Sequence, residues 1–340
     1  LSLEAAPSCT PVISGGRPIE GFEVQPDGTW RTKIDAVRRG DWWFEQLFVQ
    51  GRRATRARHP NIDCARVVEA GPDNRTSFSF DPEELPPALI DARSEVVLLH
   101  DWSSSRVRVA AVDAATQTIT VANPIGCKAP HYAITNFDPH PRFFLEGSPL
   151  LVDAPGEWAL DRDTGELVYL PLAGETLESV EPLGIVAPIA PALLIAAGTP
   201  DAPLRNLHIQ GIRFEHTAWP IPSYGYVEGQ AAFHEVRTAD AIAESDGTRD
   251  AIPAALELTW AEDCLIENCS IEAVGASGLW LGAGCRRSLV TEMTVRDAGG
   301  NGIMIGETGA RTVDGTAWWL CATEQVASAN AVTSSLVERC

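Results

Sequence analysis

The sequence predicts an all-β fold, a right-handed parallel β-helix (solenoid) with an inserted β-sandwich-like domain. Three observations predict it. One apolar pattern recurs in a constant register through the C-terminal third, and a second strand series runs beside it at the same period. Between about residues 23 and 185 the repeat disappears and hairpin signals replace it.

The first series has the form apolar-x-x-apolar-x-apolar. Its copies are Ile209, Ile212, Phe214; Ile266, Cys269, Ile271; Val290, Met293, Val295; and a weaker fourth with Val332 and Val337 around Ser335. The second and third copies are 24 residues apart. Period-2 alternation turns one face of each short strand inward. A unit of this size buries that face only by stacking on its neighbours. The second series is Leu256, Leu258; Leu279, Leu281; Ile303, Ile305, with glycines such as Gly275, Gly282 and Gly299 at the corners.

Residues 1–22 read as an N-terminal β-helix segment, 23–185 as the inserted β-rich domain, and 186–340 as β-helix coils. Within the insert, Trp158-Ala159-Leu160 and Leu167-Val168-Tyr169 flank the turn Asp163-Thr164-Gly165. Val107 to Val112 and Ile119 to Val121 flank another turn. An open β-helix end exposes apolar surface and an unpaired edge, so further coils or another chain are expected beyond Cys340.

With 45% hydrophobic and 21% charged residues the chain has the balance of a folded protein. No apolar run is long enough to span a bilayer, and no basic-then-apolar leader opens the sequence. The formal charge is −20, from 46 acidic against 26 basic side chains. Such a surface repels nucleic acid and polyanions unless a local basic patch or bound cation overrides it. Neutral or weakly charged sugars fit better. Eight cysteines occur without CxxC spacing; Cys264 and Cys269 read as small core residues, and a Cys264–Cys285 disulfide is an alternative. No metal-ligand spacing, phosphate-cradling loop or nucleophile elbow occurs, so no cofactor is expected.

Several strings together resemble a family of bacterial β-helix proteins, the group around glycoside hydrolase family 141. They are Trp42-Trp43-Phe44-Glu45-Gln46-Leu47-Phe48-Val49, Gly51-Arg52-Arg53-Ala54-Thr55-Arg56-Ala57-Arg58 with Pro60-Asn61, and Pro155-Gly156-Glu157-Trp158 with Thr164-Gly165-Glu166-Leu167. Gly211 to Thr217 with Trp219, and Gly302 to Glu307, complete the set. The resemblance spans most of the chain. It implies a β-helix interrupted by a β-rich domain, a secreted or periplasmic location, and action on plant polysaccharide side chains, for example as an α-L-fucosidase.

Hydrolysis of a glycosidic bond normally uses two carboxyl groups, about 5–5.5 Å apart for retention and about 6.5–9.5 Å for inversion. Glu257 lies between inward Leu256 and Leu258 and should point outward beside Trp280 of the next coil. Glu307 follows Ile305 at a corner. These two are the candidate acid and base, although an outward Glu is more often a solvated surface residue. The excursion after Phe214 runs through Pro220 and Gln230 to about Asp250 and offers His216, Trp219, Tyr224 and His234 for sugar contact; a mere lid over the core is the competing reading. A second excursion, from Thr308 to about Ala329, offers Arg311, Trp318 and Trp319. The arginines of the 52–58 run read as ion-pairing groups at the domain junction. A polysaccharide or oligosaccharide substrate is therefore expected. The rivals are a polysaccharide lyase and a non-catalytic sugar-binding or structural protein.

Overall fold

The fold is taken from a computed structural model that describes residues 1–126, 133–180, 184–219, 221, 222, 224–230, 233–236, 249–308 and 311–340. The described residues are overwhelmingly β, with two four-residue helices, Asp35–Arg38 and Leu177–Val180.

The repeats form three parallel sheets. Ser2–Glu4, His208–Gln210, Leu265–Glu267, Leu289–Thr291 and Ala331–Thr333 make one. Val12–Ser14, Arg213–Glu215, Ser270–Val274, Thr294–Ala298 and Leu336–Glu338 make the second. Leu194–Ala197, Ala254–Thr259, Ser277–Leu281 and Ile303–Ile305 make the third. Register follows the spacing in the sequence, with Ile266 opposite Val290, Ile271 opposite Val295 and Leu279 opposite Ile303. Ile209, Phe214, Leu256, Leu258, Ile271 and Val295 are fully buried in one shared core. Cys264, Cys269 and Cys285 are buried free thiols of that core, not a disulfide; Cys127 lies outside the described residues.

The expected architecture needs correction. The chain is all-β, but it is not a parallel β-helix solenoid with a sandwich-like insert. Its most extensive pairing is a six-stranded antiparallel barrel, and the other strands are divided among several separate sheets. The barrel strands are Ala65–Ala70, Ser77–Phe80, Glu95–Leu99, Ser104–Asp113, Thr118–Val121 and Arg142–Glu146. Each pairs with two others, and the ring closes where Glu95–Leu99 meets both Ser104–Asp113 and Arg142–Glu146. Closure packs the inner face of the sheet against itself, so no apolar face is left for a second sheet to cover and no sandwich forms. Alternation sends Phe78, Val96, Leu98, Val107 and Phe143 into the barrel core and leaves Glu95, Arg106 and Glu146 on its outer face.

Two smaller sheets join the barrel to the parallel ones. Thr55–Arg56 pairs with Glu157–Leu160, which pairs with Glu166–Tyr169 and through it with Trp30–Lys33. Gly16–Ile19, Ile185–Pro188, Phe48–Val49 and Arg52–Arg53 form the other. Phe44 stacks on Trp158 at 5.5 Å between these layers. Arg53 ties the hairpin to the parallel sheets, its Nε donating to Asp297 Oδ1 at 2.8 Å and its Nη2 to the Val274 carbonyl at 2.8 Å.

Candidate functional site

A cavity of about 680 Å³ lies where the barrel face, the Arg52–Arg53 hairpin and the corners at Gly275 and Gly299 to Asn301 converge. That volume is ordinary for a small-ligand site. Its polar lining includes Glu45, Arg56, Arg106 and Glu146, and its aromatic lining is Trp219 and Tyr226.

The charged wall follows from barrel register. Glu95 and Glu146 are direct cross-strand neighbours on the outer face, a placement that repels unless a cation is shared. Arg56 supplies it, with Nη1 at 2.7 Å from Glu95 Oε2, 2.8 Å from Glu146 Oε1 and 2.8 Å from Glu45 Oε2. Gly147 makes room for this guanidinium; a Cβ there would lie 2.5 Å from Arg56 Nη2, and its φ of +86° already disfavours any side chain. Arg106 pairs with Glu146, and Arg162 with Glu45. The Arg162 guanidinium also lies over the Trp43 ring, 5.3 Å from its centroid.

Burial pushes the Glu45 carboxyl above the usual carboxylate range, only partly countered by Arg56, and the neighbouring Glu95 charge adds to the rise. Burial also acts to raise Glu95, but the Arg56 and Arg106 charges outweigh it and bring that group to about 2. Two adjacent carboxyls are thus driven in opposite directions, the pattern that separates a proton donor from a permanent anion. Burial works against the Arg56 charge, yet its three carboxylates hold the guanidinium well above its ordinary value.

The aromatic wall comes from the excursion after Phe214. Tyr226 opposes Arg106 in register, so the strand Tyr226–Gln230 extends the barrel sheet. Trp219 meets Tyr226 edge-on, with centroids 5.0 Å apart, and Tyr226 lies 5.9 Å from His234. Gly275 lets the Trp219 backbone approach, since a Cβ there would sit 2.7 Å from Trp219 N. Of the residues expected in this excursion, Pro220 and the Gln230 side chain lie outside the described residues, and Tyr224 is half-buried.

His216 packs on the Phe48 ring at 4.9 Å, and its Nδ1 is 3.0 Å from Ser14 Oγ. Burial, then the Arg213 and Arg53 charges, lower it to about 4; burial does the same to His100. Unfolding restores both to near 6.5, so the unfolded chain binds more protons between pH 6.5 and 4. Stability should therefore fall as pH drops through that window, by up to ~3 kcal/mol for each histidine. Urea midpoints from pH 7 to 4 test this; a His216→Gln variant that keeps the full slope would remove His216 from the account.

The residues proposed as acid and base are placed apart from this cavity. Glu257 is on Ala254–Thr259 beside Trp280, as the period requires, and its Oε1 accepts from Ala254 N–H at 2.8 Å. Trp280 Nε1 donates to the Gly306 carbonyl at 3.1 Å. Glu307 is buried, accepts from Gly284 N–H at 3.0 Å and Ala327 N–H at 2.6 Å, and pairs with Arg311. Arg311 in turn covers Trp260 and accepts from Trp318 N–H. Trp318 meets Trp319 edge-on at 5.8 Å, and Trp319 is 61% exposed. Neither Glu257 nor Glu307 lines the large cavity. Glu45, Glu95, Arg106, Glu146 and Arg162 were not singled out from the sequence. The available signal was Glu45 itself, a carboxylate inside the apolar run Trp42 to Val49.

Residues 28–172 match the family model described as the GH141 insertion domain, a span that contains all six members of the charged cluster. A solved structure titled "Glycoside hydrolase" superposes with a TM-score of 0.75 and 24% identity, covering 88% of this chain and 54% of that one. Comparison with curated proteins gives no match. The chain thus spans about half the length of the solved structure, and it is similar to that glycoside hydrolase in fold and to the GH141 insertion domain over residues 28–172.

Proposed function

We propose that this protein is a carbohydrate-active hydrolase that cleaves a glycosidic bond in the cavity between barrel and parallel sheets. The observation that carries the reading is the meeting of Trp219 and Tyr226 with Glu45 and Glu146 in one space of sugar-binding size. Aromatic faces take the apolar side of a sugar ring, and carboxyl groups do the acid and base work. Glu45, with its raised affinity for a proton, is the donor to the departing glycosidic oxygen. Glu146 is the second carboxylate. Glu45 Oε2 and Glu146 Oε1 are each 2.8 Å from the same Arg56 nitrogen, so they lie no farther apart than twice that distance, 5.6 Å. This leaves no room for a water between them and fits retention, in which Glu146 attacks the anomeric carbon and water then releases the sugar. The likeness to a glycoside hydrolase fold and to the GH141 insertion domain supports the same reading.

The test is a screen of aryl glycosides and plant polysaccharides with the product anomer followed by proton NMR. The first-formed anomer should match the substrate. Trp219→Ala should raise KM by about 10- to 100-fold through lost ring stacking. An inverted product would remove the Glu45–Glu146 pairing, and a new unsaturated sugar end would mark a lyase.

A further inference from the structure

We infer that a smaller cavity meeting the large one at Glu45 is the subsite for the departing sugar, with the Trp43 ring as its platform, so that the bond cut joins two sugar units. This rests on the reading of the large cavity given above and adds the other half of the substrate to it.

The second cavity has a volume of about 270 Å³. Glu45 and Arg106 line both spaces, so the two meet at the proton donor. The remaining chemistry is divided between them. Glu146, Trp219 and Tyr226 line the large cavity alone, whereas Trp43, Arg108 and Arg162 line the small one alone. A retaining hydrolase needs this division. Its nucleophile must reach the anomeric carbon of the sugar that stays, while its donor must touch the oxygen that joins the two sugars. The sugar attacked by Glu146 therefore sits with Trp219, and the one that leaves sits with Trp43. Small-ligand sites begin at about 300 Å³, so a space of this size takes a single ring.

Trp42 and Phe44 pack into the core between the small sheets, and Trp43 between them stays 38% exposed. The Arg162 guanidinium that lies over the Trp43 ring is the one paired with Glu45, which sets the indole beside the donor. Arg108 stands opposite Glu95 in barrel register, yet Glu95 gives its Oε2 to Arg56 at 2.7 Å. The Arg108 side chain makes no hydrogen bond or ion pair among the described residues. An aromatic face and an unspent set of N–H donors in one small space suit a sugar: the ring takes its C–H face and the donors take its hydroxyls. Gly225 brings the segment before Tyr226 against the barrel to form another wall. A Cβ there would run into the Arg106 carbonyl, and its φ is +93°.

The experiment follows kcat/KM of the full chain on two probes. One is the glycosyl fluoride of the sugar that the glycoside screen identifies, whose leaving group fills no subsite. The other is an oligosaccharide in which that sugar is linked to a second one. Trp43→Ala should lose at least about 10-fold more on the oligosaccharide than on the fluoride, and Trp43→Phe should restore most of the difference. Arg108→Ala should raise KM for the oligosaccharide by about 3-fold or more at an unchanged melting temperature. The alkaline limb of the oligosaccharide pH profile, set by the proton on Glu45, should stay in place in Trp43→Ala. A shifted limb would mean that the ring acts only by holding Arg162 on Glu45, and it would overturn the platform, as would equal losses on the two probes. Trp219→Ala separates the two readings, because its ring holds the sugar that both probes contain. It should lower both alike; if it lowers neither, the reading of the large cavity fails. If it lowers both while Trp43→Ala does not distinguish them, only the departing-sugar subsite fails.

Discussion

Replacing Glu45 by glutamine is expected to lower kcat/KM on a glycoside by about 10³-fold, equivalent to ~4 kcal/mol of transition-state stabilisation. Glu146→Gln is expected to match it. Glutamine keeps the shape and the hydrogen-bonding oxygen of the side chain, so it can still meet Arg56, but it has no proton to give and no charge with which to attack. Burial raises the Glu45 carboxyl, and the cations that act on it among the described residues, Arg56, Arg162 and Arg106, are shared with Glu95 and Glu146. A leaving group with a lower pKa needs no proton donor, so activity of Glu45→Gln should recover on activated aryl glycosides, whereas Glu146→Gln should stay inactive on them. Glu257→Gln and Glu307→Gln belong in the same series. Glu307 holds Gly284 and Ala327 in place, so its loss should appear first in the melting temperature. If Glu257→Gln abolishes turnover while the Glu45 and Glu146 variants retain it, the chemistry lies on the strand Ala254–Thr259 and not in the cavity.

The parts of the molecule that were legible in the sequence are those whose signals are local. The 24-residue recurrence places Ile266 beside Val290 and Glu257 beside Trp280, because alternation and spacing together set the register of stacked parallel strands. Barrel closure left no such trace. Whether Glu95–Leu99 ends a sandwich sheet or joins Arg142–Glu146 to shut a ring depends on pairing between strands about 45 residues apart, and both outcomes share the same alternation. The charged cluster was hidden for the same reason. Glu45, Arg56, Glu95, Arg106, Glu146 and Arg162 span more than a hundred residues, and each reads singly as an exposed ion pair. Only the closed barrel brings its three members of the set against the strand Thr55–Arg56 that carries Arg56. Glu307 was misleading in the opposite sense. At a corner it looked open to substrate, whereas Gly284 and Ala327 on the neighbouring turns close over it.

Arg56 is where fold and site meet, and its replacement by methionine is expected to be the most destabilising single change in the protein. Three carboxylates from three different segments converge on one of its nitrogens while only 15% of the side chain reaches solvent. Removing one partner of a buried ion pair typically costs about 3–5 kcal/mol, because the remaining charge is left desolvated and unpaired. Here three would remain, with Arg106 and Arg162 too few to neutralise them. The pH response should also reverse. In the unaltered protein Glu95 is held at about 2, so its contribution is complete above its ordinary range near 4.5 and is lost as pH falls toward 2. Without Arg56 the three carboxyls are pushed upward in the folded state. The native variant then binds more protons than its unfolded chain, and its stability should rise as pH is lowered from 7 to 5. Adding Glu95→Gln should recover much of the loss, and the coupling between the two changes can be read from a double-mutant cycle of urea midpoints. An Arg56→Met variant that melts within a degree of the unaltered protein at pH 7, with no gain on acidification, would mean that water already screens the cluster, and the raised affinity of Glu45 for its proton would lose its physical basis.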